Sequence, residues 1–342
     1  MKPANSRIQR KRAADGLVNV AVLFLDQSHA SVSATACDVF RAAGTLWERS
    51  VKEAPQPRFR ITSFTIDGKP VLSGCGITVT PHASMRRLPK QDIVFIPDCS
   101  TDLDTVFREK RELIAWLAEQ HARGVTLAAA CSGVSLLAEA GVLKGRRATT
   151  HWSMREDLAE RYPDTDWRDD LMVTEDSNIF CSGGVYGCAD LCLYLVEKFC
   201  DRETALQCAR ALMLDMPRKE QVGFSLVPNG ARHTDADVKR AEDLLQRGYQ
   251  KDIRIEEVAQ RLGMSPRNFE RRFRAATGAL PREYLQKLRI AEARRLLEDG
   301  ARSIQDVASA SGYADIQFFR QLFKRHTRVS PADYRRRFCA AP

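Results

Sequence analysis

Short apolar segments alternate with longer amphipathic segments between Asn19 and about Leu214. The short segments are rich in Val, Ile, Phe and Leu, which favours buried strands. The longer segments repeat their apolar residues every three or four positions, which predicts helices with one buried face. This alternation is typical of an α/β domain, and we predict a flavodoxin-like, mostly parallel sheet sandwiched by helices. The predicted strands are residues 20–25, 59–66, 92–97, 125–130 and 178–182, and the predicted helices are residues 34–49, 103–123 and 185–199.

Beyond residue 234 the apolar pattern is helical throughout. We predict an all-α domain in which Asp235 or Asp252 caps a helix and Pro266 lies in the first turn of another. Four glycines fall between the periodic segments, as expected at turns: Gly263, Gly278, Gly300 and Gly312.

The segment between these two domains lacks periodicity and contains Pro217, Pro228 and Gly230, which is typical of a linker. The basic segment from Lys2 to Arg12 lacks the cleavage site of a secretory signal. We therefore predict a basic flexible tail at residues 1–17, the α/β domain at 18–214, a linker at 215–234 and the all-α domain at 235–342.

The all-α domain contains an internal repeat. Residues 255–284, here called unit 1, are echoed by residues 304–334, here called unit 2. Each unit combines a short helix, a glycine turn and a second helix, which is the helix-turn-helix arrangement. Three residues recur 49 positions later (Val258, Ala259 and Gly263), and five recur 50 positions later (Phe269, Phe273, Thr277, Pro281 and Tyr284).

The second helix of each unit has an apolar and a polar face. Phe269 and Phe273 in unit 1, and Phe319 and Phe323 in unit 2, are four residues apart and are predicted to point inward. The opposite face suits a DNA major groove, because Arg pairs with guanine and Gln with adenine. The predicted DNA-contacting residues are Arg267, Glu270, Arg271 and Arg274 in unit 1, and Ile316, Gln317, Arg320, Gln321 and Lys324 in unit 2.

The charge distribution supports contact with a polyanion at this end of the chain. The formal net charge is +9, and residues 234–342 hold 23 Lys and Arg against 15 Asp and Glu. Nearly all of the excess positive charge is therefore C-terminal, as expected for a domain that binds DNA. The sequence lacks the roughly 18 consecutive apolar residues that a membrane span needs, so we expect a soluble, cytoplasmic protein without membrane contact.

The ten cysteines lie singly within apolar segments, without the spacing of a metal site or of a disulfide scaffold. We expect reduced thiols that mostly pack in the core, and no bound metal or cofactor.

Cys131 lies where an apolar strand ends and a helix begins, in the segment VTLAAACSGVSLLAEAG. Such a turn is typical of a nucleophile elbow, and it predicts an exposed thiol whose thiolate is favoured by the helix N-terminus. Open α/β sheets bind ligands outside the carboxyl ends of their strands, so we predict a small-molecule pocket here. Its candidate residues are Cys131, Ser132, Gly133 and His151.

The last hundred residues resemble the AraC/XylS family of regulators, on the segments SPRNFERRF, YLQKLRIAEARRLLEDG, IQDVASASGY and VSPADYRRRF. The resemblance implies two helix-turn-helix units joined by the helix at residues 281–297. Two residues depart from the family pattern: Arg328 stands where a Gly usually ends the second recognition helix, and Gln321 replaces the more usual Arg. The resemblance places the base-facing positions at Arg267, Glu270, Arg271, Ile316, Gln317, Arg320 and Gln321.

Residues 18–214 resemble the class I glutamine-amidotransferase-like, PfpI-type fold, on the Cys131 segment together with GVLKGRRATTHW and IFCSGGVYGCADLCLYLVE. This domain ahead of an AraC-type tail is similar to the GlxA family of transcription regulators. The resemblance implies a first domain that binds a small ligand, often an amine or an amino-acid-related metabolite, and that forms a dimer.

The α/β domain has more than one interpretation. Ser132 stands where protease-like relatives carry a His, and Val32 stands where hydratase-like relatives carry an acid. We therefore favour a sensor without catalytic residues. The alternative is a thiol-dependent hydrolase or hydratase with a DNA-binding tail, and a third interpretation is a constitutive DNA-binding protein whose first domain only dimerises. Cys131 is then a ligand contact, a redox switch or a turn residue kept from an enzymatic ancestor.

The predicted partners are double-stranded DNA, a small-molecule effector and a second copy of the chain, with RNA polymerase as a further candidate. We expect the two units to meet adjacent major-groove segments about one helical turn apart. Effector binding is expected to change the dimer or linker arrangement, which requires different affinities for the two arrangements.

Overall fold

The structure is a computed structural model that describes residues 16–215 and 233–339. The predicted tail up to residue 15, and residues 216–232 of the predicted linker, lie outside the described residues. The chain divides into two compact parts, Met1–Gln221 and Val222–Pro342.

The first part is an α/β domain built on a seven-stranded sheet. Its strands are β1 Val18–Leu23, β2 Phe59–Thr65, β3 Val71–Leu72, β4 Thr78–Val79, β5 Ala83–Ser84, β6 Ile93–Ile96, β7 Thr126–Ala130, β8 Arg147–Ala148, β9 Asp166–Trp167, β10 Val173–Asp176 and β11 Ile179–Ser182. Its helices are α1 Ala30–Ala42, α2 Leu46–Ser50, α3 Leu103–Glu109, α4 Arg111–Ala122, α5 Val134–Glu139, α6 Arg155–Arg161, α7 Gly187–Phe199 and α8 Arg202–Ala211.

The large sheet has the strand order β10-β11-β7-β6-β1-β2-β5. Its neighbouring strands are parallel except for the antiparallel pair β10 and β11 at one edge. Both faces are covered: Val20 and Val22 of β1 pack on the side of α1, α7 and α8, whereas Ala21 and Leu23 pack on the side of α3, α4 and α5. Successive side chains of a strand point to opposite faces, so a strand covered on both sides is apolar throughout. The predicted mostly parallel, helix-covered sheet is confirmed.

Two of the predicted helices are each two helices in the structure. Gly44 has φ +77 between α1 and α2, and a methyl group on it would overlap the carbonyl oxygen of Gln56. Lys110 separates α3 from α4. The predictions of single helices at 34–49 and 103–123 are therefore wrong, because periodicity detects a buried face and does not detect a short break within it.

The described residues of the second part form seven helices: α9 Ala236–Gly248, α10 Ile255–Arg261, α11 Pro266–Thr277, α12 Pro281–Asp299, α13 Ile304–Ala310, α14 Ile316–Thr327 and α15 Pro331–Phe338. The side chain of Asp235 accepts hydrogen bonds from two backbone N–H groups at the start of α9, whereas Arg254, not Asp252, precedes α10. Pro266 is the first residue of α11, as predicted. The four predicted turn glycines all have positive φ, between 67° and 84°.

The internal repeat begins further upstream in the structure than residues 255 and 304, where the sequence shows it to begin. Helix α9 packs on α10 and α11, and α12 packs in the same manner on α13 and α14. A third helix, α9 before unit 1 and α12 before unit 2, therefore completes a small core around each unit. The buried residues of the added helices correspond 52 positions apart: Val238 with Ile290, Ala241 with Ala293, and Leu245 with Leu297.

The turn after α14 keeps the backbone of the turn after α11. Gly278 has φ 72° and ψ −2°, and Arg328 has φ 63° and ψ −2°. The N–H of each donates to a carbonyl in the last turn of its helix. This left-handed conformation costs an L-residue about 1–2 kcal/mol, because Cβ approaches the following carbonyl oxygen. Although Arg328 differs from the Gly expected here, the second recognition helix therefore ends in the same left-handed turn as the first.

Among the helices that the structure describes, none combines the length and the hydropathy that a membrane span requires.

Candidate functional site

Helices α11 and α14 each bury one face and expose the other. Phe269, Phe273, Phe319 and Phe323 are fully buried. The ring centroids of the first pair are 5.5 Å apart and those of the second pair 5.6 Å. The predicted inward orientation of these four rings is confirmed, so the polar face of each helix points away from its core.

The residues predicted to contact DNA share these outward faces, and all are exposed except Ile316, which is half-buried. Arg271 donates from Nη2 to Asn268 Oδ1 at 3.0 Å, which holds its guanidinium along the helix surface. The structure therefore gathers the candidates on two surfaces: Arg267, Glu270, Arg271 and Arg274 on α11, and Ile316, Gln317, Arg320, Gln321 and Lys324 on α14.

Phe318 lies on the exposed face of α14 and was not singled out from the sequence. Its side chain is 50% exposed, and its ring centroid is 6.2 Å from that of buried Tyr313. It follows Gln317 in the first turn of α14, the part of a recognition helix that contacts bases. An exposed Phe at this place suits apolar contact with a thymine methyl group. The sequence signal for this exposure was available, because the four-residue spacing of Phe319 and Phe323 defines the buried face and Phe318 lies outside it.

Arg272 is not part of the exposed face of α11. Its Nε and Nη2 donate to the two carboxylate oxygens of Asp235 at 2.6 and 2.9 Å, and its Nη1 lies 2.8 Å from Asp237 Oδ2. The hydrogen bonds from Arg272 hold the pKa of Asp235 below its usual range. A bidentate pair of this kind fixes geometry as well as charge. Arg272 therefore ties the recognition helix to the start of α9, instead of projecting toward a phosphate.

The turn after β7 has the strained backbone of a nucleophile elbow. Cys131 has φ +54°, which residues other than glycine seldom adopt. A methyl group on Gly133 would overlap the carbonyl oxygen of Pro97, so only glycine allows this close approach. Ser132 Oγ donates to Cys99 O at 2.6 Å and accepts from Cys99 N at 2.9 Å. Ser132 and Gly133 therefore fasten the elbow to the segment that follows β6.

The predicted exposed thiolate at Cys131 is wrong. The residue is 8% exposed, and burial raises the pKa of its thiol to about 12, with the Asp98 carboxylate acting in the same direction. The thiol is therefore protonated at neutral pH and is a weak nucleophile. The effect of burial on the thiol pKa is larger here than the opposite effect of the helix N-terminus. The sequence pattern does not show how deeply a residue is buried.

Asp98 and His29 lie near Cys131 and were missed in the sequence. Asp98 follows β6, and its side chain is 4% exposed. Its carboxylate accepts from the backbone N–H of His29 at 3.2 and 3.3 Å and lies 2.7 Å from His29 Nδ1. Strands β6 and β7 are parallel neighbours in which Ile96 pairs with Ala129, so Asp98 and Cys131 each follow a paired position by two residues and lie at the same edge of the sheet. The available signal was an acid directly after the apolar strand, in the segment FIPD.

His151 belongs to the same edge of the sheet. The residue before it, Thr150, donates from Oγ1 to Cys131 O at 2.9 Å, and a methyl group on Gly184 would lie 3.9 Å from His151 Cδ2. His151 Nδ1 lies 2.7 Å from Ser153 Oγ, and burial lowers the pKa of the imidazole. The ring is therefore neutral at pH 7. The carboxyl edge of the sheet thus combines a buried carboxylate, a protonated thiol and a neutral imidazole, which suit hydrogen bonding to a ligand better than nucleophilic attack.

The described residues contain no group of three or more His, Cys, Asp or Glu side chains arranged to hold a metal ion.

Comparisons with known proteins cover both parts of the chain. The DJ-1/PfpI family model matches residues 20–198, and a helix-turn-helix domain model matches residues 258–337. The HTH-type transcriptional regulator CdhR of Pseudomonas aeruginosa is 28% identical over 279 residues, covering 81% of this chain and 82% of CdhR. GbdR of the same species is 26% identical over 321 residues, covering 93% and 84%. GlxA of Rhizobium meliloti is 26% identical over 310 residues, covering 89% and 91%.

Solved structures share the fold of the α/β domain. Drosophila melanogaster DJ-1beta matches with a TM-score of 0.50 and 22% identity, covering 58% of this chain and 99% of DJ-1beta. A THiJ/PfpI family protein from Pseudomonas syringae matches with a TM-score of 0.51 and 24% identity, covering 62% and 80%. The resemblances noted from the sequence motifs are confirmed. Since the DJ-1/PfpI model spans more than half of the sequence, the chain belongs to the DJ-1/PfpI family and, with an AraC-type helix-turn-helix domain behind it, has the architecture of a transcription regulator.

Proposed function

We propose that this chain is a sequence-specific DNA-binding transcription regulator whose α/β domain senses a small metabolite. The observation that carries the proposal is the pair of repeated helices, α11 and α14, which expose Arg and Gln side chains over separate buried cores. They lie in the part of the chain that holds nearly all of the excess positive charge. The relatives that align over both domains are named HTH-type transcriptional regulators.

The proposed mode of DNA contact follows from residue types. The guanidinium of Arg271 suits the two acceptors of guanine, the amides of Gln317 and Gln321 suit adenine, and Glu270 suits the amino group of cytosine. The two helices enter adjacent major-groove segments about one helical turn apart. The regulator acts in the cytoplasm as a homodimer, with RNA polymerase as a candidate partner.

Arg271→Ala tests this mode of contact. It should weaken binding to the cognate site about 5- to 150-fold, equivalent to about 1–3 kcal/mol, with a much smaller loss on random duplex. The measurement is fluorescence anisotropy on DNA upstream of the protein's own gene, at fixed salt with random duplex as competitor. Arg295→Ala is the matched control, because it removes the same charge from an exposed site on α12. Equal losses on cognate and random DNA would make Arg271 a phosphate contact.

For the α/β domain we propose an amine or amino-acid derivative as the ligand, bound at the carboxyl edge of the sheet near Cys131, Ser132, Gly133 and His151. The buried carboxylate of Asp98 supports this choice, because it favours a ligand with a positive, hydrogen-donating group. A sensor is favoured over a thiol enzyme, because the Cys131 thiol is buried and protonated at neutral pH.

A thermal-unfolding screen with amines and amino acids tests the sensor proposal. A ligand at a hundred times its Kd should stabilise the α/β domain by about 2.7 kcal/mol and should change the affinity for cognate DNA. Asp98→Asn should abolish both effects, whereas Asp164→Asn, at an exposed surface carboxylate, should keep them. A ligand that stabilises the domain equally in the Asp98→Asn variant would place the binding site elsewhere.

A further inference from the structure

The two halves of the helical domain touch at a point other than α12. Gly312, in the turn of unit 2, lies against the turn that joins α9 to unit 1. A methyl group on Gly312 would lie 2.8 Å from Tyr249 O and 3.2 Å from Gln250 Cα. Gly312 also has φ 84°. The two backbones therefore approach to a distance that only glycine permits.

Arg289 of α12 fastens this contact. Its Nε donates to Tyr249 O at 2.7 Å and its Nη2 donates to Lys251 O at 2.9 Å. Hydrogen bonds from a charged donor are the strong and directional ones, and Tyr249, the C-cap of α9, lies at the negative end of that helix's dipole. The guanidinium carbon also lies 5.4 Å from the ring centroid of Tyr313, which begins the approach to α14. One half-buried side chain thus contacts both the turn that joins α9 to unit 1 and Tyr313 of unit 2.

The contact is not a requirement of the helix-turn-helix motif. Gly263 is the matching glycine of unit 1 and has φ 67°. A methyl group there would meet no atom within 4 Å among the residues that the structure describes. The crowding at Gly312 therefore comes from the way in which unit 2 is joined to unit 1.

We propose that Arg289 determines the spacing of the two DNA segments that this chain recognises, without contacting a base. The inference rests on the proposed function. Two units linked by α12 and by the Arg289 contact resist rotation about α12, so α11 and α14 keep one separation and one relative angle. Inserting a base pair between the segments shifts the second by about 3.4 Å and turns it by about a tenth of a helical turn. Two units held in one arrangement cannot keep both recognition helices on their shifted DNA segments. Two units that can rotate relative to one another can do so.

The experiment measures the affinity of the full chain for three duplexes: the cognate site and the same site with one base pair inserted or deleted between the segments. The wild-type chain should lose about tenfold or more on each altered spacing, the loss expected when one segment's contacts fail. Arg289→Met keeps the length of the side chain and removes its donors. It should weaken cognate binding by a few-fold and reduce the spacing penalty at least threefold.

Two further variants separate geometry from charge and from folding. Arg289→Lys keeps the charge but cannot donate to both carbonyls in the same geometry, so it should also reduce the spacing penalty. Arg295→Met removes an exposed Arg from the same helix and should keep the wild-type penalty. Far-ultraviolet circular dichroism and a melting curve show that each variant is folded under the conditions of the binding assay.

A spacing penalty that stays at the wild-type value in a folded Arg289→Met variant overturns the inference while leaving the proposed function intact. If Arg289→Met lowers the affinity for all three duplexes by the same factor, the inference is overturned as well. Arg289 then either stabilises the whole domain or contacts a phosphate. A wild-type chain that binds every duplex equally, random sequence included, overturns the proposed function itself and this inference with it.

Discussion

Phe319→Ala should destabilise the helical domain by about 3–5 kcal/mol, whereas Phe318→Ala should change its stability by less than about 0.5 kcal/mol. Phe319 is fully buried, with ring centroids 5.5 Å from Tyr313 and 5.6 Å from Phe323. Truncating it leaves a cavity in the small core of unit 2. Its neighbour Phe318 is 50% exposed and leaves no cavity when truncated. Denaturant unfolding followed by circular dichroism measures both values.

The same pair of variants separates folding from recognition. Phe318→Ala should lower the affinity for cognate DNA about tenfold if the ring contacts a thymine methyl group, the loss expected for one specific base contact. Replacing that thymine by uracil, which lacks the methyl group, should weaken the wild-type chain by a similar factor and leave the variant unaffected. Equal destabilisation by the two substitutions would show that the faces of α14 are assigned wrongly.

Gly133→Ala should destabilise the α/β domain by about 3 kcal/mol, a large effect for one methyl group. The methyl would overlap the backbone carbonyl of Pro97, and neither the elbow nor the end of β6 can move without breaking the Ser132 bonds to Cys99. Gly187→Ala is the matched control in the same domain. A methyl on Gly187 would meet the flexible tip of Met172, at 3.0 Å from Sδ, so its effect should stay near 1 kcal/mol or below.

Thermal unfolding of the full chain, monitored for the α/β domain by calorimetry, measures this difference. The same two variants also test ligand binding. Gly133→Ala should distort the turn at the proposed ligand site while the sheet stays folded, so it should weaken ligand binding more than Gly187→Ala does. Similar small losses of stability for both glycine variants would show that the turn at Gly133 can move away from Pro97 at little cost.

Local pattern was sufficient for the architecture. A strand covered on both faces is apolar along its length, which is why Val18–Leu23 and Thr126–Ala130 stand out in the sequence. Repetition identified the two helix-turn-helix units, because Phe269 and Phe273 recur as Phe319 and Phe323 at a constant offset. Where a break falls inside a periodic segment, as at Lys110, the pattern gives no warning.

The site was harder to predict, because its chemistry depends on contacts between distant segments. The sequence shows that Cys131 ends a strand, but not that burial and Asp98, 33 positions earlier, keep its thiol protonated. It shows that Arg272 is basic, but not that Asp235 engages its guanidinium. Such pairings are set by tertiary structure, and neither periodicity nor residue type reports them.

The turn at Arg328 shows that the two repeats accept different residues at one backbone position. Unit 2 carries Arg328 where unit 1 carries Gly278, and the two turns share one backbone conformation, since Arg328 adopts nearly the φ and ψ of Gly278. The surrounding core, and not the capping residue, therefore dictates the path of the chain. Side chains on the two recognition helices could then change independently while the scaffold stayed constant. Under the proposed function, a substitution on one recognition helix would change the DNA segment read by that unit and leave the other unit's segment unchanged.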